Sequence, residues 1–225
     1  MSIVKQKSEG KGSLRDIQIL INEHPEILNA LIQEYVSLQE NSNIKWLSPL
    51  KKDSYNEYRD DDFIEKLEID LKKVKLKDFW PRQGPQWDAL GKSDNGIVFL
   101  VEAKANIPEI SSPGTKASTI SKQQIVSSLG KTKEFFGIVN DIDWSGKYYQ
   151  YTNRLAHLYF LKELNDIPTY LLNIYFINDK EVKGPKSKEV WQPALDKMKT
   201  YLGATNHKLS DNCIDLFIDV EEFRK

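Results

Sequence analysis

The pattern of apolar and polar residues predicts strands and helices that alternate along most of the chain. Five consecutive apolar residues, Ile97–Val101, are typical of an interior strand, because β-branched and aromatic side chains fill a pleated surface covered on both faces. Apolar runs predict further strands at Ile167–Ile177 and Cys213–Val220. Helical spacing marks six segments: from Ser13 to the His24–Pro25 break, from Pro25 to Leu38, Tyr55–Leu71, Ser121–Phe136, Tyr148–Leu164 and Glu189–Leu202.

The segment before the central strand is predicted to be less regular. We interpret Trp46–Leu50 as a connector, Phe79–Pro81 as a short strand, and Gly84–Pro85 as a turn that leads into a strand carrying Asp88. This order of elements predicts an α/β fold with a mixed central β-sheet flanked by helices. We expect residues 1–45 to form an N-terminal helical extension packed on a core of residues 46–225, the whole being one compact domain.

Composition is compatible with a single globular core. The chain has 225 residues, of which 40% are hydrophobic and 11% aromatic. A single cysteine, Cys213, excludes an internal disulfide and a cysteine-based zinc cluster, and it fits a reducing compartment. The polar start of the chain lacks a secretory signal, and no apolar stretch is long enough to cross a bilayer. We therefore predict a cytoplasmic protein without a membrane partner.

Overall charge gives little attraction for a polyanion. The formal net charge is −1, so any surface for nucleic acid must come from local clusters of Lys and Arg. Lys72–Lys77 is the strongest cluster, followed by four lysines within 180–188. Such runs are more often solvated surface than binding sites.

Two charged residues continue the central strand without interrupting it. Side chains alternate across a strand, so Glu102 and Lys104 share one face, while Val101 and Ala103 lie on the other. Buried charges cost several kcal/mol unless they are paired or bind a metal. An acid and a base at the end of a core strand therefore indicate a functional site, to which Asp88 adds a second carboxylate.

A third acidic group is expected from the predicted helix at 55–71. Its apolar residues place Asp60 near the centre of the inward face, with Glu57 and Glu68 on the flanks. Glu57 or Asp60 can thus reach a site beside the sheet, whereas Glu65 is expected to face water. Acidic residues near a helix N-terminus also stabilise the helix dipole, which explains at least two of the three aspartates at 60–62 without a site.

The predicted helix at 148–164 carries one polar stripe on an otherwise apolar surface. Gln150, Asn153, Arg154 and His157 follow one another at helical spacing. The stripe either faces a wet cleft or is the only solvent-exposed side of an ordinary helix, and the sequence leaves both open. His157 taken alone is more typical of a core histidine than of a metal ligand.

These residues resemble the motif of the PD-(D/E)xK nuclease superfamily, which has a restriction-endonuclease-like fold. The match is Asp88, a step of fourteen residues, and then Glu102-Ala103-Lys104, with Pro85 upstream. Gln150 lies in a helix that precedes a strand, as in the branches with a Gln-bearing helix. Arg154 stands where that pattern often has Tyr, and the proline lies three residues before the aspartate instead of beside it.

The resemblance implies metal-assisted hydrolysis of phosphodiester bonds in DNA or RNA. Asp88 and Glu102, with the carbonyl of residue 101 or 103, would hold Mg²⁺ or Mn²⁺ through oxygen ligands. Lys104 would orient the attacking water or stabilise developing charge, and Glu57 would complete the metal shell or hold a second ion. Gln150 and Arg154 would hold a phosphate.

Two other functions stay open at this point. The first is a non-catalytic interaction protein that keeps the fold and uses Glu102 and Lys104 as a structural ion network. The second is an unrelated α/β enzyme whose acidic pocket takes a small phosphorylated ligand, which the weak overall basicity favours. The sequence leaves open whether the chain forms a homodimer.

Overall fold

A five-stranded mixed β-sheet forms the centre of the protein. The computed structural model describes residues 3–7, 10–38 and 42–224. The strands are β1 (Ile3–Val4), β2 (Ile44–Ser48), β3 (Glu57–Tyr58), β4 (Ala89–Ser93), β5 (Val98–Lys104), β6 (Thr169–Ile177) and β7 (Cys213–Asp219). The main sheet has the order β2-β4-β5-β6-β7, and β1 pairs with β3 in a separate ribbon. The pairs β2–β4 and β4–β5 are antiparallel, whereas the pairs β5–β6 and β6–β7 are parallel.

Helices cover both faces of this sheet, which confirms the predicted α/β fold. In the described part of the chain they are α1 (Ser13–Glu23), α2 (Pro25–Tyr35), α3 (Asp60–Lys66), α4 (Leu76–Phe79), α5 (Thr119–Phe136), α6 (Tyr149–Tyr159) and α7 (Lys188–Leu202). A π-helical turn, Phe160–Leu164, extends α6. No helix in the described ranges has both the length and the apolar composition that a bilayer crossing requires.

The alternation of side chains along β5 divides the core into two layers. Phe99, Val101 and Ala103 pack with α1 and α2 on one face. Val98 and Leu100 pack on the opposite face with the helices that follow β3. Glu102 and Lys104 continue this second set by the two-residue period of the strand. The predicted separation of charged and apolar faces at the end of β5 is therefore confirmed.

The helix predicted over 55–71 is wrong in its extent. Only Asp60–Lys66 is helical, and Glu57 belongs to β3 instead. Tyr58 pairs with Ile3 of β1 and also forms a bridge to Trp87. These pairings come from distant parts of the chain, so local helical periodicity could not reveal them.

Two further local predictions are also wrong. Trp46–Leu50 is not a connector, because Ile44–Ser48 forms the edge strand β2 with alternating buried and outward residues. Phe79–Pro81 is not a strand, because Phe79 ends the short helix α4. The ring of Phe79 stacks on Phe160 at 5.0 Å, so packing against the end of α6 overrides the strand preference of these aromatic residues.

Gly91 provides a test of the packing between β2 and β4. A Cβ at this position would lie 2.9 Å from two ring atoms of Trp46, which is itself buried. We expect Gly91→Ala to lower the free energy of unfolding by about 1–3 kcal/mol in urea denaturation. Gly130→Ala is the control. Gly130 lies in α5, and a Cβ added there would meet no side chain or distant backbone within 4 Å. The free energy of unfolding of that variant should exceed that of the wild type by about 0.5–1 kcal/mol. Equal losses of stability in both variants would contradict the close packing of Gly91 against Trp46.

Candidate functional site

Strand pairing brings Asp88 next to the charged end of β5. Ala89 lies opposite Val101 in the antiparallel pair of β4 and β5. The Asp88 N–H donates to the Val101 carbonyl at 3.2 Å, and Asp88 Oδ2 accepts the Ala103 N–H at 2.7 Å. The side chain is thus held along β5, between the residues that flank Glu102. The Val101 carbonyl, one of two expected backbone ligands, is already used in this pairing.

Glu57 reaches the same region from the small β1–β3 ribbon. Its side chain is only 2% exposed, and Oε2 accepts hydrogen bonds from Gln6 Nε2 at 2.7 Å and from Gln86 Nε2. Glu57 lines the same cavity as Asp88, although a strand carries it instead of the expected helix. Sequence reasoning missed both glutamines. Gln86 lies two residues before Asp88, which is a usable signal, whereas the polar N-terminal segment gives none for Gln6.

Glu102 forms the centre of a buried ion network. Glu102 Oε2 accepts Arg154 Nε at 2.7 Å and Nη2 at 2.6 Å, and the Lys104 ammonium pairs with Oε1. Arg154 also donates to the Asn153 side chain at 2.8 Å and to the Gln86 carbonyl at 2.7 Å. These bonds fix the guanidinium in one place and leave both carboxylate oxygens of Glu102 paired with cations.

The electrostatics separate the three carboxylates into two kinds. Burial alone would raise the pKa of Glu102, but the charges of Arg154 and Lys104 outweigh it and lower that pKa. Burial raises the pKa of Asp88 well above its usual value, and the negative charge of Glu102 adds to this effect. Burial also raises the pKa of Glu57, against the opposing hydrogen bonds from its two glutamines. Glu57 and Asp88 therefore lie where a cation would relieve an unfavourable charge.

Lys104 stays protonated in this environment. Burial would lower its pKa, but the charges of Glu102 and Asp88 outweigh burial and raise it. An ammonium with a raised pKa cannot accept a proton near neutral pH. Lys104 can therefore supply positive charge and hydrogen bonds, but it cannot serve as a general base.

An open cleft of about 470 Å³ lies beside these groups, whereas Glu102 and Lys104 line a smaller cavity that shares Gln150 with it. Its lining includes Glu57, Asp88, Gln150, Asn153, Arg154 and the loop at 112–116. Asp88 is partly exposed, whereas the side chain of Glu102 is 7% exposed and sits deeper. The backbone N–H of Gln150 donates to Ser112 Oγ at 2.8 Å, which ties the start of α6 to the loop.

The polar stripe of α6 faces this cleft only in part. Gln150, Asn153 and Arg154 line the cleft, so the alternative of a purely solvent-exposed stripe is wrong. His157 does not join them. It is 1% exposed, donates from Nδ1 to the Asn153 carbonyl at 2.8 Å, and packs against Trp80. Burial lowers the pKa of His157 to about 3, so it is the neutral core histidine expected from its isolated position.

The other predicted acids lie elsewhere. Asp60 accepts the backbone N–H groups of Gln83 at 3.1 Å and Gly84 at 2.8 Å, and so it holds the turn that precedes Pro85. Glu65 and Glu68 are exposed, as expected for Glu65. Of the acids proposed as a third carboxylate, Glu57 lines the cleft together with Asp88.

Cys213 does not provide a nucleophile. Burial raises the pKa of its thiol to about 11, and the negative charge of Asp215 acts in the same direction. A thiol with so high a pKa carries little thiolate at neutral pH. The sulfur lies 3.8 Å from the Tyr151 hydroxyl and 3.5 Å from Asn173 Nδ2, consistent with a packing role.

Carboxylate oxygens suit a hard divalent cation, but the arrangement of these carboxylates limits how many of them could bind one. Within residues 3–7, 10–38 and 42–224, no three His, Cys, Asp or Glu side chains form a group that could hold a metal ion. At this cleft, Arg154 and Lys104 already pair with Glu102. Mg²⁺ commonly uses only one or two protein carboxylates and keeps several waters. Glu57 and Asp88, the two carboxylates that line the cleft, are the residues that would hold such an ion.

Comparison with known proteins adds no relative. The chain has no match among models of protein families, among curated proteins or among solved structures. The resemblance to the PD-(D/E)xK superfamily therefore rests on the residues of this chain alone, and membership stays a prediction.

Proposed function

We propose that this protein hydrolyses phosphodiester bonds in DNA or RNA with a divalent cation, Mg²⁺ or Mn²⁺. One observation carries the proposal. Two carboxylates with raised pKa values, Glu57 and Asp88, line an open cleft beside a buried network of two fixed cations. Neither carboxylate forms an ion pair with a side chain in the described part of the chain. Groups with perturbed pKa values that lie together in a cleft are typical of functional sites.

Each residue then has a distinct role. Glu57 and Asp88 would hold the cation, which when bound lowers the pKa of water and neutralises charge on phosphoryl oxygens. Glu102 would fix Lys104 and Arg154 instead of serving first as a metal ligand. Lys104, being protonated, would donate to the phosphate or orient the attacking water.

The two residues of α6 that were expected to bind phosphate are also assigned different roles. Arg154 already donates to three protein groups, so we assign it to the positioning of Glu102. Gln150 lines the cleft, and its side-chain amide is the better placed of the two to bind a phosphate oxygen.

Replacement of Lys104 tests the proposal. We expect Lys104→Ala to reduce Mg²⁺-dependent cleavage of a labelled oligonucleotide roughly 100-fold, because one preorganised donor to the transition state is lost. Lys92→Ala is the control, since Lys92 donates to backbone carbonyls of residues 67 and 68 instead. Circular dichroism would verify that both variants fold. Equal cleavage by wild type and Lys104→Ala would remove the proposed role.

A second candidate function is favoured by the pairing of both Glu102 oxygens. In that account the network is structural, the protein binds a partner without catalysis, and no divalent cation binds. Asp88→Ala would then lower stability, because Asp88 helps to balance the charge of Lys104.

A third candidate is an enzyme for a small phosphorylated ligand. The cleft of about 470 Å³ lies within the range of small-molecule sites. Salt-sensitive binding of oligonucleotides without binding of mononucleotides would exclude this candidate.

A further inference from the structure

A second groove continues directly from the cleft. This side groove has a volume of about 510 Å³, and its lining includes Arg82, Gln83 and Ser121. Thr115, Lys116 and Tyr149 line both the cleft and the side groove. The two cavities therefore adjoin at these three residues.

The balance of charge differs between the two cavities, because the cleft has two carboxylates beside its two cations, Lys116 and Arg154. Glu57 and Asp88 line the cleft, whereas the residues that line the side groove include two cations and no carboxylate. Arg82 and Lys116 are both exposed, and neither forms an ion pair with another part of the described chain. Exposed cations without a protein counterion are suited to phosphate groups. Phosphates that flank a scissile bond would meet these two side chains.

Tyr149 lies at the junction of the two cavities. Burial raises the pKa of its phenol while the neighbouring Thr115 and Asn153 side chains oppose that shift, and the residue is only partly buried. An aromatic ring beside a cationic groove is the common platform for single-stranded nucleic acid, because an unpaired base can stack on it. Bases inside a duplex are already stacked and cannot use the ring in this way.

We propose that the side groove binds one strand of single-stranded nucleic acid, with phosphates at Arg82 and Lys116 and a base stacked on Tyr149. The inference rests on the proposed function and specifies its substrate class. It places the strand so that the neighbouring phosphodiester lies at Glu57 and Asp88.

Fluorescence anisotropy in EDTA tests the binding without any cleavage. The probes are labelled single-stranded DNA and RNA of roughly twelve nucleotides and the matching duplexes. We expect the wild type to bind at least one of the single strands roughly tenfold more tightly than its duplex. The double variant Arg82→Ala/Lys116→Ala should bind roughly tenfold more weakly, and the slope of log affinity against log salt should fall by about 1.4.

The matched control is Lys72→Ala/Lys186→Ala, which removes two exposed lysines from the two lysine-rich segments. It should bind like the wild type. Tyr149→Leu should weaken binding roughly tenfold, whereas Tyr149→Phe keeps the ring and should retain most of the affinity.

Several outcomes would overturn the inference: duplex bound as tightly as single strand, wild-type affinity in the Arg82 and Lys116 variant, or loss of affinity only in the lysine control. The two proposals can fail separately. Single-strand binding through the side groove without Mg²⁺-dependent cleavage would remove the proposed function and keep the groove. Mg²⁺-dependent cleavage together with wild-type affinity in the groove variants would keep the proposed function and remove the inference about the side groove.

Discussion

Asp88→Asn is expected to reduce Mg²⁺-dependent cleavage by about 1,000-fold or more while making the metal-free protein more stable. The loss follows because a carboxylate ligand of the cation becomes a neutral amide, and cation stabilisation of the transition state is worth several kcal/mol. The gain in stability follows because the pKa of Asp88 is raised in the folded protein. A raised pKa means that the ionised carboxylate opposes folding at any pH above that value.

The pH dependence of this gain can be stated from the sign of the shift. Neutral pH lies well above the usual value of 3.8, where a raised pKa makes folding of the wild type less favourable, so the thermal midpoint of the variant should exceed that of the wild type in EDTA. As the pH falls through the raised pKa toward the usual value of 3.8, Asp88 gains a proton and the difference should shrink. Differential scanning calorimetry of both proteins over this range measures it.

Asp78→Asn is the matched control, because Asp78 is exposed on α4. It should change neither cleavage nor the thermal midpoint. If neither protein cleaved the substrate and Asp88→Asn were less stable than the wild type, the structural ion network would be favoured over a cation site.

Arg154→Ala is expected to destabilise the protein by about 3–5 kcal/mol, because it leaves Glu102 buried with one cation fewer. The side chains of Arg154 and Glu102 are only 4% and 7% exposed, so solvent cannot replace the lost pairing. The variant also removes the hydrogen bonds to the Asn153 side chain and the Gln86 carbonyl. Chemical denaturation with urea measures the change in the free energy of unfolding.

A double-mutant cycle separates the ion pair from the packing of Arg154. Glu102→Gln removes the charge that Arg154 compensates, so the double variant Glu102→Gln/Arg154→Ala should be more stable than the sum of the single losses predicts. Arg154→Lys should recover only part of the loss, since an ammonium cannot reproduce the forked contacts. Additive losses in the cycle would show that Glu102 and Arg154 are not coupled.

The parts of the site that the sequence predicted depend on strand geometry. The apolar run before Glu102 marks β5, and the two-residue period of a strand places Glu102 and Lys104 on one face. The tight connection between β4 and β5 then brings Asp88 alongside. The polar stripe of α6 could be predicted from local periodicity as well, because helical spacing places Gln150 and Arg154 on one side of the helix.

The parts that the sequence did not predict depend on contacts between distant segments. Glu57 lies in a strand because β1 pairs with it from more than fifty residues away. Gln6 reaches Glu57 through that same ribbon. The ion pair between Arg154 and Glu102 could not be predicted from the sequence either, because it depends on how α6 packs over the sheet. For this reason the sequence predicted Glu102 as a metal ligand, whereas the structure pairs it with two cations.

Crystals soaked in Mn²⁺ offer the most direct measurement of the central claim, that Glu57 and Asp88 bind a divalent cation. The account predicts an anomalous difference peak in the cleft, in contact with the carboxylates of both residues and absent from Asp88→Asn crystals. A map without anomalous density at these carboxylates, from a crystal in which the cleft is open to solvent, would contradict it.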